Sequence, residues 1–247
     1  VELVKLLMSD HPELMQDACE LGITRVILPE WDAMVGVEQH TPHHKYDVAG
    51  HTLCAMKNVK KDKILRLTML LHDMGKPQMK TTDESGVDHF KGHALVSEEI
   101  ARKILRRLKF DNDTVNKVTR LVCYHDYRIE ATPRNVRRAM NRIGVELFPY
   151  YLAVRMADVK AQSPYQRRKK IENIVEMREI YQEILISDQA VTLRQLSVSG
   201  KDLLQLGMRP GKQMGDMLNE LLELVIDEPE MNDKDKLCSY VKEKLGI

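Results

Sequence analysis

The sequence predicts an all-α protein, and three observations support this prediction. Apolar residues recur at intervals of three and four, as in Ile100, Ile104, Leu105 and Leu108, which is the period of an amphipathic helix. Strand-like alternation of apolar and polar residues is almost absent outside residues 78–90. The 247 residues are 43% hydrophobic, which is enough apolar content to bury a core and excludes global disorder.

The predicted elements are helices together with at most one short β-hairpin. The hairpin is expected within residues 78–90, where Ser85-Gly86 offers a tight turn. Apolar residues spaced along residues 165–186 predict the longest helix of the chain. The predicted helices cover residues 2–8, 11–20, 48–59, 63–75, 91–109, 113–125, 134–143, 146–158, 165–186, 200–206 and 211–226.

Two helices near the C-terminal end are predicted from their capping residues. Ser199 and Asp202 have the spacing of an N-cap residue and its N3 partner. Gly207 is suited to end that helix, and Pro210 is suited to open the next one. Free backbone amides at the start of the second helix would suit a nucleic-acid phosphate. A well-capped helix pair that binds no ligand explains the same residues.

Composition limits the classes of protein to consider. The formal net charge is only +1, which excludes a basic coat over the whole surface but allows a local basic patch. No apolar run approaches the ~18 residues of a membrane span. The 4 cysteines stand far apart without a CxxC pair, which indicates reduced thiols in the cytoplasm and argues against a zinc ribbon.

Positive charge is concentrated in the middle of the chain. Residues 101–180 carry 19 Lys and Arg against 9 Asp and Glu. The last basic run of this block is Arg167, Arg168, Lys169 and Lys170. A single run of this kind is usually a solvated helix face, whereas several runs in one block favour a surface that binds RNA phosphates. Both interpretations remain open at this stage.

Histidines and aspartates form the strongest signal for a functional site. The successive separations of 21, 20, 32 and 33 residues each correspond to about one helix with its connection. Side chains from successive helices can converge on a metal site inside a bundle. The alternative is a set of separate core or capping histidines. The candidate metal ligands are His51, His72, Asp73, His93, His125 and Asp158.

The chemistry of these side chains predicts one or two divalent ions. Imidazole nitrogens and carboxylate oxygens together suit Mn, Fe, Ni, Co or Zn, and Mg is a further candidate. Asp73 offers two oxygens and is therefore suited to bridge two ions. Two ions about 3.5–4 Å apart can clamp a phosphate group.

Two basic residues near the candidate ligands are candidates for contacting a substrate phosphate. Lys76 follows His72 by one helical turn, so it would lie on the same face. The alternative is a lysine that answers the helix dipole before Pro77 stops the helix. Arg155 precedes Asp158 by three residues and would reach the same pocket, unless it is an ordinary surface arginine.

The ordered set His51, His72-Asp73 and Asp158 resembles the HD superfamily of metal-dependent phosphohydrolases. His93 and His125 look like the two extra histidines of its binuclear members, and the resemblance covers about residues 45–165. It implies an all-helical HD domain in which Asp73 is shared by two ions. It also implies a phosphohydrolase in which His72 and Asp73 serve catalysis.

A second resemblance covers nearly the whole chain. The segment from Val198 to Gly215 resembles the tail of bacterial CCA-adding tRNA nucleotidyltransferases, and Leu28-Pro29-Glu30 and the approach to His51 also look like that family. The Gly-Ser loop and paired carboxylates that their nucleotidyl-transfer head needs do not occur in this sequence. The chain is therefore expected to be the C-terminal region of such an enzyme or a free-standing relative, without a nucleotidyl-transfer site of its own.

These observations combine into one functional prediction with one alternative. We predict an HD phosphohydrolase acting on nucleotides or on phosphate ends of tRNA-like RNA, with no membrane partner and an undetermined oligomeric state. The alternative is a non-catalytic tRNA-binding body and tail with a vestigial or structural metal site. The predicted domains are an N-terminal helical segment at 1–35, the HD domain at 36–190 and a helical tail at 191–247.

Overall fold

α-Helices, short 3-10 segments and one short hairpin make up the regular structure in a computed structural model, which describes residues 2–246. The all-α prediction is therefore confirmed, and β1 (Thr81–Thr82) pairs antiparallel with β2 (Asp88–His89) inside the predicted hairpin segment. The helices are α1 (Glu2–Met8), α2 (Met15–Glu20), α3 (Ile23–Ile27), α4 (Pro29–Asp32), α5 (Val48–Lys57), α6 (Lys63–Leu71), α7 (Lys76–Met79), α8 (His93–Arg107), α9 (Asn112–Tyr124), α10 (Pro133–Ile143), α11 (Phe148–Ala161), α12 (Arg167–Ile186), α13 (Gly200–Gln205), α14 (Lys212–Asp227) and α15 (Lys234–Leu245).

Polar side chains fix the starts of several helices. Asp47, Asp62, Asp111, Thr132 and Asp233 each accept a hydrogen bond from a backbone amide in the first turn of the helix that follows. The first amides of a helix have no partner within the helix, so these side chains satisfy groups that would otherwise remain unpaired. The helix boundaries near the candidate ligands are thus set by local sequence.

The chain forms two compact units. The first unit runs from the N-terminus to Arg128 and continues over Glu146–Val175. Its central element is α6, which contacts α1, α5, α8, α9 and α11. Every residue of α6 from Leu65 to Leu71 is buried. The residues that follow the helix, 72–76, are therefore also in the interior of the unit.

The second unit comprises Ile129–Val145 and the residues from Glu176 onward. Its apolar core includes Val198, Leu203, Leu221 and Leu237, contributed by α13, α14, α15 and the segment before them. Helix α10 contacts α14 in this unit. The boundaries of these two units differ from those of the predicted domains, because α10 belongs to the same unit as the C-terminal helices. The assignment of functions to 1–35, 36–190 and 191–247 stays a prediction.

Several local features differ from the predicted elements. Helix α6 ends at Leu71 rather than at residue 75, and Pro77 lies in the first turn of α7 instead of stopping a helix. Pro210 lies before Gly211, which is the N-cap of α14, and so is outside that helix.

No helix within residues 2–246 is both long and apolar enough to cross a membrane.

Candidate metal centre

The six predicted ligands converge inside the first unit as two groups of three. The first ligand group is His51, His72 and Asp158, and the second ligand group is Asp73, His93 and His125. Within each group the candidate ligand atoms lie within 4.8 Å of one another, and all six residues are buried. The structure thus brings together residues that are up to 107 positions apart in the chain.

Three of the histidines present the same nitrogen to the centre for the same reason. The Nδ1 atoms of His72, His93 and His125 each lie 2.7 Å from the backbone carbonyl oxygen three residues earlier. A carbonyl only accepts, so each Nδ1 carries the hydrogen and each Nε2 presents a lone pair. Metal-binding histidines are commonly fixed in this way by a carbonyl on the opposite ring nitrogen.

The second ligand group leaves two lone pairs facing each other. The Nε2 atoms of His93 and His125 are 3.1 Å apart, and neither carries a hydrogen in the tautomers that their carbonyl partners select. Two lone pairs at this separation repel unless a cation or a proton lies between them or beside them. A metal ion held by both nitrogens satisfies this arrangement, as does a single proton shared between them.

Asp73 lies between the two ligand groups. Its Oδ1 is 3.4 Å from His93 Nε2 and 3.5 Å from His125 Nε2. Its Oδ2 is 3.1 Å from His72 Nε2. Asp73 Oδ2 is also ion-paired with Lys76. Among residues 2–246, neither Asp73 Oδ1 nor His72 Nε2 has a partner in hydrogen-bond geometry. Buried polar atoms are normally satisfied, so these two atoms mark a place where a ligand is expected.

The two carboxylates of the centre remain ionised although both are buried. Burial raises the pKa of Asp73, but the electrostatic influence of His72 and of the Lys76 ammonium outweighs burial and holds this pKa well below the usual value. Burial likewise raises the pKa of Asp158, and the hydrogen bond and charge of His51 together lower it below the usual value. Ionised carboxylates are the form that binds a divalent cation.

Lys76 points into the centre rather than toward solvent. Its Nζ lies 2.7 Å from Asp73 Oδ2 and 2.8 Å from Gln39 Oε1. Because α6 ends at Leu71, Lys76 does not answer the dipole of that helix, and this alternative is wrong. Contact with a substrate phosphate stays a prediction for this residue.

Arg155 is buried, so the alternative of an ordinary surface arginine is also wrong. Its Nη1 donates to the carbonyl oxygen of His125 at 3.1 Å and lies 3.8 Å from Asp158 Oδ2. Arg155 thereby connects a residue of each ligand group. Its contact with a substrate phosphate stays a prediction.

A cavity of about 890 Å³ opens onto the centre. Asp73, His93, His125 and Asp158 line it together with His44. Burial lowers the pKa of His44 to about 3, with the charges of Lys76 and His51 contributing, so His44 is neutral here. The cavity is large enough for a small phosphorylated ligand.

The four predicted RNA contacts at the start of α12 divide between solvent and the interior of the unit. Lys169 is exposed, and Arg168 pairs with Glu172 at 2.7 Å on the surface. Arg167 donates to the carbonyl oxygen of Gln162, and Lys170 donates to its side chain. The inward pair was not expected from the sequence, because a run of four cations does not reveal which of them face solvent.

Sequence reasoning missed Gln39 and Gln162. Gln39 holds Lys76, and Gln162 Nε2 donates to Asp158 Oδ2 at 2.9 Å. The position of Gln162 four residues after Asp158 at a helix end was an available signal, since such pairs share a helix face. Gln39 offered no comparable signal, because it meets Lys76 only through the tertiary fold.

Comparison with known proteins identifies the family. A sequence profile for tRNA nucleotidyltransferase domain 2 matches residues 89–241, which is more than half of the chain. The chain belongs to this tRNA nucleotidyltransferase family. The matched region includes the candidate ligands His93, His125 and Asp158, and it continues into the second unit.

Three curated relatives are similar to the chain over most of its length. The A-adding tRNA nucleotidyltransferase of Deinococcus radiodurans is 30% identical over 211 residues, which are 82% of this chain and 48% of the relative. The CC-adding tRNA nucleotidyltransferase of Thermus thermophilus is 32% identical over 230 residues, 90% of this chain and 51% of the relative. The multifunctional CCA protein of Actinobacillus pleuropneumoniae is 26% identical over 185 residues, 68% of this chain and 44% of the relative. The chain thus spans about half the length of these relatives.

The predicted resemblance to the body and tail of tRNA nucleotidyltransferases is confirmed. The prediction of a phosphohydrolase is wrong, because the matched family and these relatives are tRNA nucleotidyltransferases. The physical reason for the error is that a set of metal ligands indicates a binding geometry but does not determine a reaction. The alternative interpretation, a tRNA-binding body and tail, agrees better with this family.

Proposed function

We propose that this chain is the tRNA-binding body and tail of a tRNA nucleotidyltransferase. The observation that carries the proposal is the family match over residues 89–241 in a sequence without the nucleotidyl-transfer loop and its paired carboxylates. The transfer reaction itself would then belong to another part of the enzyme, and this chain would hold the RNA.

The distribution of paired and exposed cations supports a contact surface at the start of α12. Arg134 and Arg138 of the basic block are engaged by Asp227 within the second unit, at 2.5 and 2.9 Å. Lys169 projects into solvent, and the pair of Arg168 with Glu172 is solvent-exposed. Surface pairs of this kind are worth only about 0–1 kcal/mol, so Arg168 can exchange Glu172 for an RNA phosphate at little cost.

We further propose that the two ligand groups hold one or two divalent ions. The unsatisfied atoms of Asp73 and His72 and the facing nitrogens of His93 and His125 fit such ions. Nitrogen and oxygen donors in this combination suit first-row divalent metals, and the resemblance to the HD superfamily agrees with the same ligand set. When bound, the ions would supply concentrated positive charge beside the cavity.

Binding to tRNA at several salt concentrations tests the proposal. The whole chain should bind tRNA with an affinity that falls steeply with salt, because phosphate contacts release counterions. The double variant Arg168→Gln/Lys169→Gln should reduce the slope of log affinity against log salt by up to about 0.7–0.9 per lost contact. Failure of the unmodified chain to bind tRNA at low salt would overturn the proposal.

A matched control distinguishes a specific contact surface from a nonspecific effect of positive charge. Lys60 is exposed and Lys61 pairs with Asp10 on the surface, so this neighbouring pair reproduces the setting of Lys169 and Arg168. Lys60→Gln/Lys61→Gln removes the same charge from a segment outside the basic block. An equal change of slope in both double variants would show that the start of α12 is not a specific contact surface.

A further inference from the structure

The two oxygens of Asp158 have different partners. Oδ1 lies 2.9 Å from His51 Nε2, within the first ligand group. Oδ2 accepts a hydrogen bond from Gln162 Nε2 at 2.9 Å. The Gln162 amide therefore binds Oδ2 of this carboxylate, while Oδ1 faces the first ligand group.

Gln162 is placed for this contact by the end of α11. Its backbone is extended, with φ −72° and ψ 173°, and its N–H donates to the carbonyl oxygens of Asp158 and Val159. The residue is 5% exposed, and its side-chain Oε1 accepts a hydrogen bond from Lys170 Nζ at 2.6 Å. Gln162 thus connects the basic run of α12 to a candidate metal ligand.

Lys170 determines which way the Gln162 amide is turned. An ammonium group only donates, so it requires the amide oxygen on its own side. The amide NH₂ must then face Asp158, where it can donate to Oδ2. The opposite orientation would place the amide oxygen against a carboxylate oxygen and the NH₂ group against the ammonium, and both contacts would be repulsive.

Lys170 is itself held by the loop that precedes α5. Its Nζ lies 3.2 Å from His43 Nδ1. The same loop is attached to the segment after α11, because Ser163 N donates to His43 O at 2.8 Å and Ser163 Oγ donates to Pro42 O at 2.5 Å. These bonds fix the position of Lys170 relative to Gln162.

We propose that Gln162 and Lys170 are positioning residues that orient the Asp158 carboxylate for a divalent ion in the first ligand group. This inference rests on the proposed metal centre. Gln162 satisfies the outer oxygen, so that Oδ1 and its lone pairs stay directed at the ion. Lys170 acts one step further out by selecting the orientation of the Gln162 amide.

Titration of the metal-free whole chain with Mn²⁺ in a calorimeter tests this proposal. Gln162→Leu keeps a similar volume and removes both the donor and the acceptor. It should weaken binding of one ion by about 10–100-fold, as loss of a partner behind a metal ligand commonly does. Lys170→Met should weaken the same ion by roughly 10-fold, and Lys170→Arg should restore most of the loss because it retains donors.

Lys169→Met is the matched control, since Lys169 is the neighbouring cation on the same helix but is exposed. It should leave Mn²⁺ affinity unchanged. Thermal unfolding of the metal-free variants separates positioning from stability: a purely structural role would lower the melting temperature without a specific effect on affinity. Lys170→Met supplies the comparison at a half-buried position if Gln162→Leu does not fold.

The outcomes distinguish this inference from the proposed centre. If the unmodified chain takes up no Mn²⁺, the proposed metal centre fails and the inference fails with it. If the unmodified chain binds Mn²⁺ and folded Gln162→Leu binds it equally well, the centre stands and the positioning role is wrong. An equal loss in Lys169→Met and Lys170→Met would also overturn the role assigned to Lys170.

Discussion

Asp73 can serve both ligand groups because its two oxygens face different histidines. Oδ2 faces His72 and Oδ1 faces His93 and His125. Asp73 lies in the turn that follows α6 rather than within that helix. A bridging carboxylate would neutralise part of the repulsion between two closely spaced ions.

The first prediction compares Asp73 with His125. Asp73→Ala should reduce the content of both ions, whereas His125→Ala should reduce mainly the ion of the second ligand group. Elemental analysis after dialysis against Mn²⁺, with circular dichroism to verify folding, measures the difference. Equal metal content in the two folded variants would argue against a shared carboxylate.

The sequence predicted that these candidate ligands converge, as they do in the structure, but not how each side chain is oriented, and metal binding stays a prediction. The order and spacing of His51, His72 and Asp158 agree with their positions on separate elements, in α5, directly after α6 and in α11. The Nδ1 contacts of the other histidines depend on carbonyl oxygens whose direction is set by helix ends. Composition and spacing do not specify those directions, so the facing nitrogens of His93 and His125 became evident only in the structure.

At the scale of elements, Gly75 allows α7 and α8 to approach closely. A Cβ at Gly75 would lie 2.5 Å from His93 O and 2.7 Å from Ser97 N. The Gly75 N–H also donates to Ser97 Oγ at 2.9 Å. The start of α8, and therefore His93, is placed by a contact that only glycine permits.

Gly75→Ala is therefore expected to displace the start of α8. Crowding of this kind typically costs about 1–3 kcal/mol, and it should also weaken the ion held by His93. Chemical denaturation and Mn²⁺ titration measure the two effects. Gly215→Ala is the control, because a Cβ there meets nothing within 4 Å inside α14 and alanine favours a helix. Similar destabilisation by both substitutions would contradict the close-approach argument.

The N-cap of α9 gives a prediction about pH. Thr114 donates to Asp111 from its backbone and its hydroxyl group, and these bonds lower the pKa of Asp111 from 3.8 to about 2. A lowered pKa stabilises the folded chain above about pH 4, and this contribution is lost as pH falls through 2. Asparagine also caps helices but does not titrate.

The melting temperature of the unmodified chain should therefore fall relative to that of Asp111→Asn between pH 4 and pH 2. Paired thermal unfolding curves across this interval measure the difference. A constant difference would show that the Asp111 carboxylate makes no pH-dependent contribution to stability.

The boundaries of helices were predictable where the apolar pattern was strong. Their prediction failed where complete burial or high charge obscured that pattern. Helix α6 is buried from Leu65 to Leu71, so its period gave no signal for its end. Helix α15 was missed because only Leu237 and Val241 of its residues are buried in a highly charged segment. Short helices such as α3 bury too few residues to create a pattern.

At the scale of the whole molecule, a surplus of positive charge does not by itself define a binding surface. Asp227 pairs with Arg134 and Arg138, and Arg137 donates to the carbonyl oxygen of Ile226 at 2.6 Å. These arginines therefore serve the second unit internally. The sequence predicted the basic block but could not separate such arginines from those at the start of α12, because their acidic partner lies about 90 residues away.

The two units should respond differently to removal of metal. All six candidate ligands belong to the first unit, so an ion that binds only the folded centre stabilises that unit. At a free ion concentration 100 times the dissociation constant, this stabilisation is about 2.7 kcal/mol. A chelator should therefore speed amide hydrogen exchange in α5, α8, α9 and α11 and leave exchange in α14 and α15 nearly unchanged.

Mass spectrometry of peptides from the Mn²⁺-loaded and chelated protein measures both units in one sample, so the second unit is an internal control. Equal acceleration in both units would indicate that the ion stabilises the chain as a whole, and no change anywhere would argue that the ligand groups hold no ion that contributes to stability.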